Sequence, residues 1–199
     1  AFYFLIIMLK IHSAIFLQPA PQVIIAFAKM VQTSRQRLKQ KKAQSACVRS
    51  LLQITMHRFD IVGEFHDHAH PYYINSNKIR YFVSFSHSDN QVALIISLTP
   101  CAIDIEVNDI KYSVVERYFH PNEIYLLTQF SSTDRQQLIN ILWRLKECRI
   151  KLIQDQLYTG MGADMSCYLT DIRPNSINLI KNNDDYFYNH PKLKLTALF

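Results

Sequence analysis

The chain has 199 residues, with 22 Lys and Arg against 16 Asp and Glu, a net charge of +6, and 49% hydrophobic and 19% charged residues. That length buries a core without staples, and the composition excludes a disordered chain. Only three glycines are present, with neither a G-x-G-x-x-G run nor a Walker-type lysine loop, so Rossmann and P-loop phosphate cradles are excluded and any phosphate must be held by side chains and a metal.

The positive charge favours acidic partners: nucleic acid, an anionic membrane, a phosphorylated cofactor or an acidic protein. Cys47, Cys101, Cys148 and Cys167 are scattered without a C-x-x-C pair. This argues against a disulfide framework or zinc ribbon and suits a reducing, cytoplasmic compartment, with each thiol expected as a small buried hydrophobe.

In chain order, residues 1–9 are apolar but shorter than the ~20 needed to span a bilayer. They lack the basic flank and cleavage site of a signal peptide, so they are expected as a buried first strand. Residues 34–52 place Arg35, Arg37, Lys39, Lys41 and Lys42 ahead of Ala43, Ala46, Val48, Leu51 and Leu52, a spacing that predicts a helix with one buried face and a basic start. A His- and Asp-rich loop follows at 63–71. Strands are predicted at 81–85, 91–98 and 102–107, with a turn at 86–90, implying an antiparallel meander. Helices are predicted at 122–130 and, capped from residues 131–134, at 135–153, where Leu138, Ile141, Leu142, Leu145, Ile150 and Ile153 form an apolar stripe. Gly160 and Gly162 end the helical region, and strands are expected at 166–170, 176–180 and 192–199. The fold class is therefore α+β, read as two similar lobes at 1–101 and 102–199, each a small antiparallel sheet packed with helices.

Three groups of residues invite chemistry. Asp104 and Glu106 alternate with Ile103, Ile105 and Val107, so on a strand both carboxylates face one way with Cα atoms ~7 Å apart. Such a pair either suits a hard cation such as Mg²⁺ or is the solvated face of an edge strand. In Trp143-Arg-Leu-Lys146-Glu147-Cys-Arg-Ile-Lys151, residues 143, 147 and 151 stack on one helix face. Glu147 there either completes a metal site or forms an ordinary surface pair with Lys151. Ser86-His87-Ser88 offers donors to a phosphate, or is a polar turn.

Taken in order, F-V-S-F-S-H-S, I-D-I-E, F-x-x-x-E and W-x-x-K-E-x-x-x-K at 82–88, 103–106, 119–123 and 143–151 resemble the 4'-phosphopantetheinyl transferases, most closely the larger, surfactin-type class built as a pseudodimer of two α+β lobes. The resemblance implies a holo-acyl-carrier-protein synthase activity, in which the 4'-phosphopantetheine arm of coenzyme A passes to a serine of an acidic acyl- or peptidyl-carrier protein. It implies Mg²⁺ on Asp104, Glu106 and Glu147. It further implies coenzyme A contacts from His87, Ser86, His70, Lys146 and Lys151, catalytic roles for Glu147 and Lys151, and a monomer acting on neither nucleic acid nor membrane. Ala69-His70-Pro71 stands where the family has G-K-P, Ser84 replaces an Asn and Ala102 a Gly, which alters the expected cofactor pocket. Competing readings are an inactive relative, a nucleic-acid-binding module using the basic 35–42 run, and a metal site at His66, His68 and His70.

Overall fold

The computed structural model describes residues 11–31, 37–77 and 79–199. The expected strand at 1–9 and the first residues of the basic run lie outside these. The chain divides into two compact units, Ala1–Ile105 and Glu106–Phe199.

In the first unit, β1 (Ile11–Ala20), β2 (Val23–Met30), β3 (Glu64–His66), β4 (Tyr72–Ser76), β5 (Ile79–Ser88) and β6 (Gln91–Ser97) form one antiparallel sheet in the order β1-β2-β6-β5-β4-β3. Helix α1 (Arg37–Arg58) covers one of its faces. The three-to-four spacing read from the sequence is the reason: Cys47, Val48, Leu51, Leu52 and Met56 all project to one side and are buried. They meet Ala26, Ala28 and Met30 of β2 and Val92, Leu94 and Ile96 of β6, which share one face of the sheet because strand side chains alternate. The helix runs on to residue 58, beyond the expected 52.

The turn expected at 86–90 is shorter than the sequence implies. β5 continues through Ser88, leaving Asp89 and Asn90 as a two-residue turn with Asp89 at φ 50°, a left-handed conformation that Asp tolerates. Gln44, buried on α1, donates from Nε2 to the Asp89 carbonyl at 2.8 Å and Gln40 does so at 3.2 Å, which pins this turn to the helix. The polarity that suggested a turn is one face of a strand. Ser84, Ser86 and Ser88 alternate with Val83, Phe85 and His87, and all three serines are buried.

Ser84 and Ser86 are buried where β7 (Ala102–Ile105) packs against β5 and β6. The Ile103 N–H donates to Ser84 Oγ at 3.3 Å and the Ile105 N–H to Ser86 Oγ at 3.1 Å, so hydroxyls replace backbone carbonyls as acceptors. β7 therefore does not extend the meander of β4, β5 and β6, as three successive strands had implied.

The second unit carries α2 (Tyr112–Tyr118), α3 (Pro121–Leu127), α4 (Ser132–Ile153) and α5 (Leu157–Met161), followed by β8 (Asn178–Asn182), β9 (Asp185–His190) and β10 (Leu195–Leu198). These strands pair antiparallel in the order β10-β9-β8, and α4 packs on β10. Ser131 caps α4 by accepting the Asp134 N–H, as the Ser-rich run predicted. Leu138, Ile141, Leu142 and Leu145 are buried, whereas Ile153 is 50% exposed because the helix ends there, with Gln154 in a left-handed cap. The expected strand at 166–170 is a 3-10 turn, Ser166–Tyr168, and β9 was not anticipated. A Cβ at Gly160 would lie 2.2 Å from Ile150 Cγ1, so α5 reaches α4 only because residue 160 has no side chain. Cys47 and Cys148 are buried as expected, but Cys167 is exposed.

The hydroxyl of Ser86 both accepts from Ile105 and donates to Asp104, in a buried setting. Ser86→Ala removes it and leaves two buried polar groups short of a partner. Urea denaturation should show a loss of about 1–3 kcal/mol, the range for an unmade buried hydrogen bond. A loss below ~0.5 kcal/mol would mean that water replaces the hydroxyl.

Candidate active site

The expected site residues fall on both units: Asp104, His70, Ser86 and His87 on the first, Glu106, Lys146, Glu147 and Lys151 on the second. Asp104 is 7% exposed, and its Oδ1 accepts the Ser86 hydroxyl at 2.9 Å, which fixes the carboxylate's orientation. Ser86, expected to touch a cofactor, is thus directed at a carboxylate. His87 is exposed on the opposite face of β5, at its end, beside the pinned Asp89-Asn90 turn.

The loop carrying His70 is held by Arg49 of α1, whose guanidinium donates to Asp67 Oδ2 at 2.6 Å. That hydrogen bond keeps the Asp67 carboxyl below its ordinary pKa. The His70 ring lies 3.9 Å from the Tyr72 ring, and His66 stacks on Tyr73 at 4.7 Å, so these imidazoles pack on neighbouring aromatics.

In the second unit, Glu106 Oε1 accepts the Asn108 N–H at 2.8 Å and Asn108 Nδ2 at 3.1 Å. The Glu106 N–H donates to the Lys194 carbonyl, and Lys194 Nζ donates back to the Val107 carbonyl, so this stretch is tied to the residue preceding β10. Glu147 and Lys151 are half-buried on the same α4 face as Trp143, the stacking that their spacing predicted. Among the described residues no three His, Cys, Asp or Glu side chains are gathered into a group that could hold a metal ion. Asp104, oriented by the Ser86 hydroxyl, offers oxygen ligands of the kind that a hard divalent cation takes.

Lys146 differs from Lys151. It is fully buried, with its ammonium 2.9 Å from Glu123 Oε1 and donating to the carbonyls of Met161 at 2.8 Å and Ala163 at 2.5 Å. Burial lowers its pKa, and the Glu123 carboxylate opposes that shift. A lysine has three N–H donors and all three are engaged, so the pyrophosphate contact expected of Lys146 requires it to leave these partners. Glu123 is equally buried and also accepts the N–H groups of Met165 at 2.8 Å and His120 at 2.9 Å. The sequence reading placed Glu123 in a first helical turn and in the F-x-x-x-E motif but gave it no partner. The available signal was a carboxylate three residues after His120, the position that closes a capping box.

A cleft of about 380 Å³ in the second unit is lined by Asp109, Asn140, Arg144, Asn175, Lys192 and Lys194 among others, and contains none of the expected site residues. Arg144 is buried there, donating to Thr196 Oγ1 at 3.1 Å and Asn189 Oδ1 at 3.3 Å.

Residues 100–196 match the family model of the 4'-phosphopantetheinyl transferase superfamily. The 4'-phosphopantetheinyl transferase gsp of Aneurinibacillus migulanus is 36% identical over 81 residues, an alignment covering 40% of this chain and 34% of that relative. The chain thus spans about a third of the length of the curated relative that it matches. The stretch matching the family model contains Asp104, Glu106, Glu123 and the whole W-x-x-K-E-x-x-x-K helix segment, and starts after Ser86 and His87. Residues 100–196 of this chain are a domain of the 4'-phosphopantetheinyl transferase superfamily.

Proposed function

We propose that this chain transfers the 4'-phosphopantetheine arm of coenzyme A to a serine of an apo acyl- or peptidyl-carrier protein. The observation that carries the reading is the superfamily match over residues 100–196, which holds all three carboxylates of the expected metal set. Asp104, Glu106 and Glu147 would hold Mg²⁺, which when bound would supply charge neutralisation for the pyrophosphate of coenzyme A. His87, exposed at the end of β5, takes the ribose 3'-phosphate, and His70 stands in place of the family's usual lysine. Lys151 takes a pyrophosphate oxygen and lowers the charge that builds on it as the bond breaks. Glu147 accepts the proton of the carrier serine as its Oγ attacks the phosphorus bonded to pantetheine. The bond from that phosphorus to the bridging oxygen breaks, and adenosine 3',5'-bisphosphate leaves with the electron pair. The work of the side chains is placement and charge compensation.

Each unit combines antiparallel strands with helices, which favours the larger, two-lobed class acting as a monomer. Charge is unevenly divided. Residues 1–105 contain 11 Lys and Arg against 5 Asp and Glu, while residues 106–199 contain 11 of each, so the whole +6 belongs to the first unit. That excess suits the polyanionic nucleotide end of coenzyme A.

Incubation with coenzyme A, Mg²⁺ and an apo-carrier should produce a carrier heavier by one phosphopantetheine in mass spectrometry. Asp104→Ala, Glu106→Ala and Glu147→Ala should each lower turnover by more than ~100-fold, since a lost ligand removes several kcal/mol of charge stabilisation. Wild-type turnover in Glu147→Ala would remove it from the reaction. Dephospho-coenzyme A, without the 3'-phosphate, should bind more weakly than coenzyme A, and His87→Ala should erase most of that difference; equal weakening of both ligands would place His87 elsewhere. The KM for coenzyme A should rise at least ~3-fold between ~0.05 and ~0.5 M salt as the field of the first unit is screened. A flat KM would dissociate the charge excess from the donor.

A further inference from the structure

The W-x-x-K-E-x-x-x-K segment carries two lysines with opposite surroundings. Lys151 is half-buried on the face shared with Glu147, and Lys146 is fully buried. Residues 146 and 147 are adjacent on α4, so their side chains leave the helix about 100° apart. One can point inward while the other faces a substrate.

Around Lys146 and Glu123 the polar bookkeeping closes. The ammonium gives its three N–H groups to Glu123 Oε1, Met161 O and Ala163 O. The carboxylate takes Lys146, the Met165 N–H and the His120 N–H. The bonds join four segments: α4, the start of α3, the turn before it, and the stretch 161–165 that begins at the last residue of α5. At the rim, Asp164 accepts from Asn122 Nδ2 at 2.8 Å, and its carboxylate lies 3.4 Å from His120 Nδ1, tying the same segments again. Close contact of Gly160 with Ile150 brings α5 onto α4 just ahead of the carbonyls that Lys146 uses.

We propose that Lys146 is a positioning residue, not a phosphate contact: with Glu123 it locks the rotation of α4 against residues 161–165, so that the next residue, Glu147, and Lys151 are presented in a fixed orientation. The pair is a claim about this fold alone; the coenzyme A arm of the test rests on the transferase reading above.

The test uses the full chain and the variants Lys146→Met, Glu123→Gln, the double variant Glu123→Gln/Lys146→Met, and Lys151→Met. Each of the first two leaves a buried charge without its counter-ion and should lower the Tm by on the order of 10 °C. The double variant is neutral and similar in volume, and should recover at least half of the larger single loss. If the single variants fail to fold while the double variant folds, that is the same coupling at its extreme. Strictly additive Tm losses would overturn the pairing. By calorimetry, the double variant should bind coenzyme A within ~3-fold of wild type, whereas Lys151→Met should weaken it ~10-fold or more, the effect of removing a charge-assisted contact. Its kcat should fall ~10-fold at unchanged KM for coenzyme A, because Glu147 is held less firmly. A stable double variant that binds coenzyme A as poorly as Lys151→Met would make Lys146 a phosphate ligand. One with wild-type kcat would remove its positioning role. If the wild-type chain binds no coenzyme A, the transferase reading fails, and the Tm cycle still decides the pair.

Discussion

An ammonium and a carboxylate taken wholly out of water must each be compensated at every donor and acceptor, or the segment that carries them does not stay buried. Lys146 and Glu123 meet that requirement with partners drawn from residues 120, 123, 161, 163 and 165. Such a pair adds little net stability over an apolar one, because desolvation offsets most of the attraction. It does make alternative packings expensive, since a slip of α4 by one residue would strand a charge in the interior. The second unit is specified by this constraint more than by its apolar stripe, which a neighbouring register could also bury. The loop ending at residue 165, the cap of α3 and the outward face of α4 all take their places from it.

The first unit solves a different polar problem. β7 is a four-residue strand, and its Ile103 and Ile105 N–H groups find acceptors in the side chains of Ser84 and Ser86. The positions of β5 that meet β7 therefore carry hydroxyls, which is why Ser84 and Ser86 sit buried at alternate positions of the strand. The Ser86 hydroxyl has one proton left to give and gives it to Asp104. A residue required by strand packing thereby also orients a carboxylate, and the backbone that buries Asp104 is the backbone that aims it. On the other side of the same strand, His87 is left exposed next to a turn that two glutamines of α1 hold in place.

Much of this was legible in the sequence. The apolar periods of α1 and α4, the buried strand at β6, the strand at β7, the Ser131 cap and the shared helix face of Trp143, Glu147 and Lys151 are local properties, set by residues a few positions apart, and they appear as read. The ordered motifs located the superfamily domain for the same reason, because spacing along a strand or helix fixes which side chains share a face. Where local signals misled, a distant segment had overridden them. Ser86-His-Ser88 has the composition of a turn and forms a strand because β7 covers its serine face. Residues 166–170 have alternation enough for a strand and form a 3-10 turn. Ile153 continues the apolar stripe beyond the point where α4 still has something to pack against.

The candidate site divides along the same line. The sequence by itself nominated the groups for the proposed chemistry: three carboxylates, two histidines, a serine and two lysines, of which Glu147 and Lys151 share one helix face. Only the tertiary structure decided that Ser86 serves Asp104, that Glu123 belongs to Lys146, and that of the two lysines in one motif the first turns inward. Helical period states that positions 146 and 151 point in different directions; it does not state which direction is the interior. That depends on where carbonyls from residues 161 and 163 and a carboxylate from residue 123 come to lie, and a buried charge goes where its counter-charges are.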